Sequence, residues 1–197
     1  SLTFVFHGAV GATSVTSSVA AGGQGLYEDV VALLGRAGSG ALEVRSDQPV
    51  RVTSRTYNLL AADAACTPGG TLGLDVPSLL AAEGLQKGQS AWLTPLVENG
   101  AFRTNVALTN TGTAKASVSV ALYDGAGASL GSYGVDLAAG EWKQEDRPFA
   151  SRAGRTDLDR AYAKVTVTAG SGVSALASVI DNVTNDPTSV SMKPVAT

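Results

Sequence analysis

Leu2-Thr-Phe-Val-Phe-His7, closed by Gly8, and Ser117-Val-Ser-Val-Ala-Leu-Tyr-Asp124, closed by Gly125, are the two stretches on which the fold turns. Both are short β-prone runs that stop at a glycine, and the second alternates strictly with a period of two, which is the signature of a half-buried strand. Working outward, Val19-Ala-Ala-Gly-Gly23 and Leu137-Ala-Ala-Gly-Glu141 follow as strand ends and turns. Glu28-Asp29 and Glu145-Asp146 then sit at the same offset from those turns, give or take one residue. Ala41-Leu-Glu-Val44 and Ala161-Tyr-Ala-Lys-Val165 open two further segments, which end at Ser54-Arg-Thr-Tyr-Asn58 and Ser178-Val-Ile-Asp-Asn182. The chain thus carries one internal repeat, with its second copy about 117 to 124 residues after its first.

Inside each copy β-branched residues alternate with Ser, Thr and Arg, most clearly in Val50-Arg-Val-Thr-Ser-Arg-Thr-Tyr57. Val165 to Thr168 and Val173 to Ile180 are expected to form a hairpin through Ala169-Gly-Ser-Gly172, whose glycines allow the positive φ of a tight turn. Arg103 to Asn110 is a further strand, ending in an Asn110-Thr-Gly112 turn. Helix is confined to Tyr27 to Leu34, closed by Gly35, and to Ser78 to Glu83 after Pro77. Leu59 to Gly70 has neither period and reads as an extended loop. Short strands with turns every 8 to 12 residues point to an all-β protein of two tandem antiparallel β-sandwich units with short connecting helices, 1–98 and 99–197.

The run Ser54-Arg-Thr-Tyr-Asn58, Gly70-Thr-Leu-Gly73, Gly88-Gln-Ser-Ala-Trp-Leu93, Phe102-Arg-Thr-Asn-Val106, Ala177-Ser-Val-Ile-Asp-Asn182 and Asn185-Asp-Pro187 resembles tandem immunoglobulin-like β-sandwich modules found near the C-termini of large secreted bacterial proteins. The resemblance spans nearly the whole chain. It implies an extracellular or cell-surface location and an architecture; no chemistry comes with it. In such modules each unit opens with a strand of the Arg-Thr-Asn-Val kind. The second unit has one at Arg103 to Val106, and the first unit is expected to lack its opening strand. The missing strand is expected either upstream in a longer parent chain, of which a sequence starting at Ser1 reads as a cut piece, or from another chain by strand donation.

Composition narrows the function. With 44% hydrophobic and 16% charged residues in 197, the chain can support a sizeable core. A net charge of −3 provides no cationic field for nucleic acid or an anionic lipid surface. The single Cys66 cannot form an internal disulfide or a thiolate zinc site. No apolar run is long enough to cross a bilayer as a helix, and Ser1 to Gly8 lacks the basic start of a signal peptide.

Candidate chemistry is sparse. His7 is the one imidazole, so a triad or a multi-histidine metal site would depend on it; as a repeat partner of Asp124 it reads as a polar residue at a strand exit. Asp181, Asn185 and Asp186, with Asp157 and Asp159 as a second acidic pair, offer oxygens for calcium, though Asp181, Asn182 and Asn185 read more readily as bonding neighbouring amides to hold a turn before Pro187. Gly35-Arg-Ala-Gly-Ser-Gly40 is glycine-rich like a phosphate loop but lacks its Lys-Ser/Thr ending and precedes a strand, so it reads as a connection. Trp92 and Trp142 each follow a glycine turn, as plugs at the end of a sandwich or as carbohydrate-stacking residues. Arg51, Arg55 and Arg103 alternate with apolar neighbours and are expected on a solvated face. No catalytic residue or resident cofactor emerges. The expected role is a non-enzymatic structural or adhesive module that joins neighbouring domains or further copies of itself, with a ligand-binding accessory module of a secreted hydrolase as the competing class.

Overall fold

The computed structural model describes residues 1–8, 11–59 and 70–195. Its regular structure is almost all antiparallel β. The first segment contains β1 (Leu2–Gly8), β2 (Gly11–Ser17), helix α1 (Val30–Leu33), β3 (Gly40–Ser46), β4 (Ser54–Leu59) and β5 (Thr71–Val76). The rest contains β6 (Leu85–Gln86), β7 (Ser90–Glu98), β8 (Phe102–Asn110), β9 (Ala116–Asp124), β10 (Ser129–Leu137), β11 (Trp142–Asp146), helix α2 (Pro148–Ala153), β12 (Leu158–Ala169), β13 (Ser171–Asp181), β14 (Pro187–Ser191) and β15 (Lys193–Pro194). Among the described residues no helix is long and apolar enough to cross a membrane.

Two sheets build the second body. One has the order β10-β9-β12-β7-β15; the other has the order β11-β8-β13-β14, with β6 beside the start of β13. Alternation dictates the packing: β8 reads exposed, half-buried, then buried at every second residue from Thr104 to Asn110, and β9 buries Ala116, Val118, Val120 and Leu122. Those inward residues join Leu93, Leu96, Val165, Val173 and Ala177 in one core shared by both sheets. Phe149 of α2 is fully buried in it.

The expected hairpin across Ala169 to Gly172 is corrected by the pairing. β12 belongs to one sheet and β13 to the other, so this connection crosses the core layer. The glycines are needed for proximity as well as for φ: Gly172 has φ 80°, and a Cβ there would lie 2.7 Å from the Gly112 nitrogen. Likewise a Cβ on Gly112 would meet the Ser171 carbonyl oxygen at 2.5 Å, so two turns interlock only because neither carries a side chain. The boundary expected between 98 and 99 falls in the β7–β8 turn. β7 pairs with β12, and β6 with β13, so the second body begins near Leu85.

The first segment repeats part of that plan. β2-β1-β3 has the same order as β10-β9-β12, and His7 pairs with Ala41 just as Asp124 pairs with Ala161. Leu2, Phe4 and Phe6 of β1 pack on Leu34, Val30, Val31 and Tyr27, with the Phe4 and Tyr27 rings edge to face at 4.6 Å. The α1 region therefore covers this sheet, where the second body uses a second sheet. Asp29 caps α1 by accepting the Ala32 amide at 2.8 Å, and Gly35 at φ 65° follows it. Helix over Tyr27 to Leu34 shortens to Val30–Leu33, and that over Ser78 to Glu83 becomes a 3₁₀ turn at Ala81–Glu83. The strand expected from Val50 begins only at Ser54, where β5 provides partners.

Two buried polar residues secure the second body. Asn110 donates to the carbonyls of Ala114 (2.8 Å), Leu137 (3.2 Å) and Ala138 (2.9 Å) and accepts the Gly112 amide (2.9 Å). Glu98 accepts the amides of Ala150 (2.8 Å) and Phe149 (3.4 Å), capping α2. Burial pushes the Glu98 carboxyl above its ordinary range, against the opposing pull of those amides and of Arg147.

Asn110→Ala strands several carbonyls and an amide and is expected to cost about 3 kcal/mol in urea denaturation. Because the folded Glu98 titrates above its unfolded value of about 4.3, its contribution is complete below that pH and declines as pH rises through the folded pKa. Glu98→Gln is expected to flatten this slope in denaturation curves collected from about pH 4 upward.

Candidate functional site

A strand edge with no partner among the described residues is the most distinctive chemical feature of the first segment. In the second body β12 is flanked by β9 and β7, and β13 by β8 and β14. Their counterparts by order, β3 and β4, each have one neighbour among the described residues, β1 and β5 respectively. Among the described residues no strand lies beside β3 on the side away from β1, and no β4 or β5 side chain belongs to the core of β1–β3. An edge of this kind presents free N–H and C=O groups to any strand that can align with it.

Apolar exposure is concentrated in the same part of the chain. Among the described residues, seven of the ten exposed large hydrophobic side chains lie between Leu26 and Leu80, with Leu26 at 80%, Leu59 at 79% and Leu80 at 71%. Elsewhere β3 comes beside β11, and β5 beside β14, without a ladder between either pair.

His7 stands near this junction. Its Nε2 lies 2.9 Å from Glu43 Oε2 across the β1–β3 pair, and a Cβ on Gly140 would approach the ring to 3.1 Å. Arg45 donates to both Glu43 oxygens (2.6 and 3.0 Å), and it, more than His7, holds the Glu43 carboxyl below its usual range. The imidazole is thus packed between a carboxylate and a glycine turn, a positioning contact between segments.

The remaining sequence candidates separate in space. Asp181 Oδ1 accepts the amides of Val183 (2.7 Å) and Thr184 (2.9 Å), which hold its carboxyl below the ordinary range, and Asn185 at φ 60° accepts from Arg103 at 3.0 Å. The expected calcium oxygens of Asp181 and Asn185 are engaged in the turn, Asp186 is exposed, and a guanidinium occupies the neighbourhood. Among the described residues no group of three or more His, Cys, Asp or Glu is arranged to hold a metal. Asp157 pairs with Arg155 at 2.7 Å, and Asp159 accepts from Asn99 at 2.8 Å, so the second acidic pair is also divided.

Trp92 does not plug an end. It lies on the outer face of β7 between the inward residues Ala91 and Leu93, half-buried against Tyr162 (5.5 Å) and Tyr123 (6.1 Å), with the Lys164 ammonium 5.4 Å from its ring centre. Those neighbours cover much of the ring that a sugar would need. Trp142 opens the edge strand β11 opposite Thr109, also half-buried. Arg55 lies over Tyr57 on exposed β4, Arg51 precedes that strand, and Gly35 to Gly40 connects α1 to β3 as expected. Cys66 lies outside the described residues.

No family model matches the chain, and no curated protein matches it. A solved structure, the crystal structure of Thermotoga maritima 1070, is similar over 55% of this chain and 91% of that one, at 10% identity and a TM-score of 0.40.

The free edge predicts an exchange pattern. Hydrogen exchange followed by NMR should show the β3 amides that face away from β1 exchanging at least roughly a hundredfold faster than their equivalents in β12, which has partners on both sides.

Proposed function

We propose that the chain is a non-enzymatic structural or adhesive module of the extracellular kind, made of two immunoglobulin-like units of which the first is completed by strand addition from a second copy. The observation that carries this reading is that β3 and β4 each have one strand neighbour among the described residues, while β12 and β13, whose order and register they otherwise match, have two. Main-chain pairing gives such an edge affinity, and the alternating inward residues of β3 give it register. The exposed apolar side chains between Leu26 and Leu80 provide surface for the incoming strand to cover. A contact of this type joins unlike surfaces, so successive copies can extend into an open filament. The low charge, −3 over 197 residues, leaves little long-range repulsion against stacking.

The second reading, an accessory module that holds a ligand for an attached hydrolase, draws support from the outward cluster of Trp92, Tyr123 and Tyr162. The edge reading is preferred because those rings pack mainly on one another and under Lys164.

Sedimentation velocity tests the assembly. The chain should associate as its concentration rises, and an extra copy of residues 85–112 fused ahead of Ser1 through a flexible linker should fill the edge internally, weakening association about tenfold or more, or 1.4 kcal/mol. A chain that stays monomeric at all accessible concentrations, or association that the fused copy leaves unchanged, would count decisively against the proposal.

A further inference from the structure

We propose that the end of the second body around the Asn99–Gly100 turn is a binding site for a hydroxyl-rich carboxylate of the uronic-acid class, gripped between Arg103 and Arg147. The site is an open pocket of about 560 Å³ lined by Asn99, Gly100, Arg103, Arg147, Thr156 and Asn182. It lies in the second body and stands independently of the assembly edge in the first segment.

Charge is the first argument. Arg103 Nη1 donates to Asn182 Oδ1 at 3.1 Å and its Nη2 to Asn185 Oδ1 at 3.0 Å, while Arg147 Nη2 donates to the same Asn182 Oδ1 at 3.3 Å. Two guanidinium groups therefore converge on one neutral oxygen, with nitrogens within roughly 6 Å of each other, a separation at which like charges repel and a shared anion is attracted. Neither has a carboxylate within ion-pair distance among the described residues, although Arg45, Arg152 and Arg155 all do. Asn182 is held in place for this by donating its own amide to the carbonyls of Gly100 (3.1 Å) and Asn99 (3.4 Å).

Backbone strain is the second. Arg147 sits at φ 49°, a left-handed conformation unfavourable for a long side chain. It is fixed there because its amide donates to the Thr104 carbonyl at 2.9 Å, and the helix that follows it is capped by buried Glu98. The structure thus maintains a strained residue at the one place that brings a second guanidinium to Asn182.

The surroundings select the ligand class. Glu98 lies behind Arg147, engaged with the α2 amides; Asp159 is bound to the Asn99 amide and Asp181 to its own turn. The carboxylates of Asp159 and Asp181 oppose a dianion more than a monoanion, and a planar carboxylate matches the guanidinium fork. The pocket wall is amide, hydroxyl and main chain, with no large apolar side chain, which suits ring hydroxyls better than a hydrophobic body.

The test is a titration of the ¹⁵N-labelled chain with sodium glucuronate, with glucose, sodium sulfate and acetyl-Ala-Ala carboxylate as comparison arms. Glucuronate should give saturable shifts confined to Asn99 through Phe102, Arg147 and Asn182, with Kd on the order of 1 mM. Glucose should bind at least about tenfold more weakly, and Arg103→Gln and Arg147→Gln should each weaken glucuronate about tenfold while circular dichroism shows the fold intact. If Arg103→Gln disturbs the turn, Arg147→Gln, whose side chain is exposed, decides alone. Unsaturable or dispersed shifts, or affinity unchanged in Arg147→Gln, overturn the site. Tighter binding of sulfate or of the peptide carboxylate overturns the uronate assignment.

Discussion

Every strand in a sheet has two rows of backbone donors and acceptors, and the arrangement of this protein follows from which rows find partners. β9 and β12 are paired on both sides, which places them at the centre of the second body and makes their alternating Val, Ala and Leu residues the core. β1 is likewise paired on both sides, by β2 and β3, and it is the one strand of the first segment whose residues Leu2, Phe4, Val5 and Phe6 are all buried. Among the described residues β3 and β4 have one partner each, and the exposed side chains of β4 record the consequence.

The two ends of the second body solve different problems. At one end, chain crossings between sheets are drawn together by the Asn110 side chain and by the bare backbones of Gly112 and Gly172, so that the buried carbonyls are answered by one amide group. At the other end the amide of Asn182 plays the comparable organising part, but its oxygen receives two cations instead of backbone amides. The first arrangement is internally complete. The second leaves positive charge facing an open pocket, and that difference separates a structural knot from a site able to receive something from outside.

Much of the plan was legible in residue order. The alternation of Ser117 to Asp124 and its likeness to Leu2 to His7 reported two equivalent strands, and the matched positions Ala41 and Ala161 turned out to be the cross-strand partners of His7 and Asp124. Arg103 to Asn110 and its turn were legible for the same reason, since a period of two is imposed by any strand with one buried face. The connection at Ala169 to Gly172 was not, because a glycine pair serves equally to reverse a hairpin and to cross between sheets. β10 was obscured by Gly131 and Gly134, which carry no side chain to show an alternation. α2 is only six residues long and depends on Glu98, about fifty positions earlier, for its cap.

Amino-acid order alone determined the strand-rich class and many of the local turns, because periodicity and positive-φ glycine act over a few residues. Only the tertiary structure decided which strands pair, that the second body reaches back to Leu85, that β3 and β4 each have one strand neighbour among the described residues, and that Arg103, Arg147 and Asn182 meet. The reason is distance along the chain. Pairing register and charge convergence join residues tens of positions apart, and no local pattern records a neighbour that folding alone supplies.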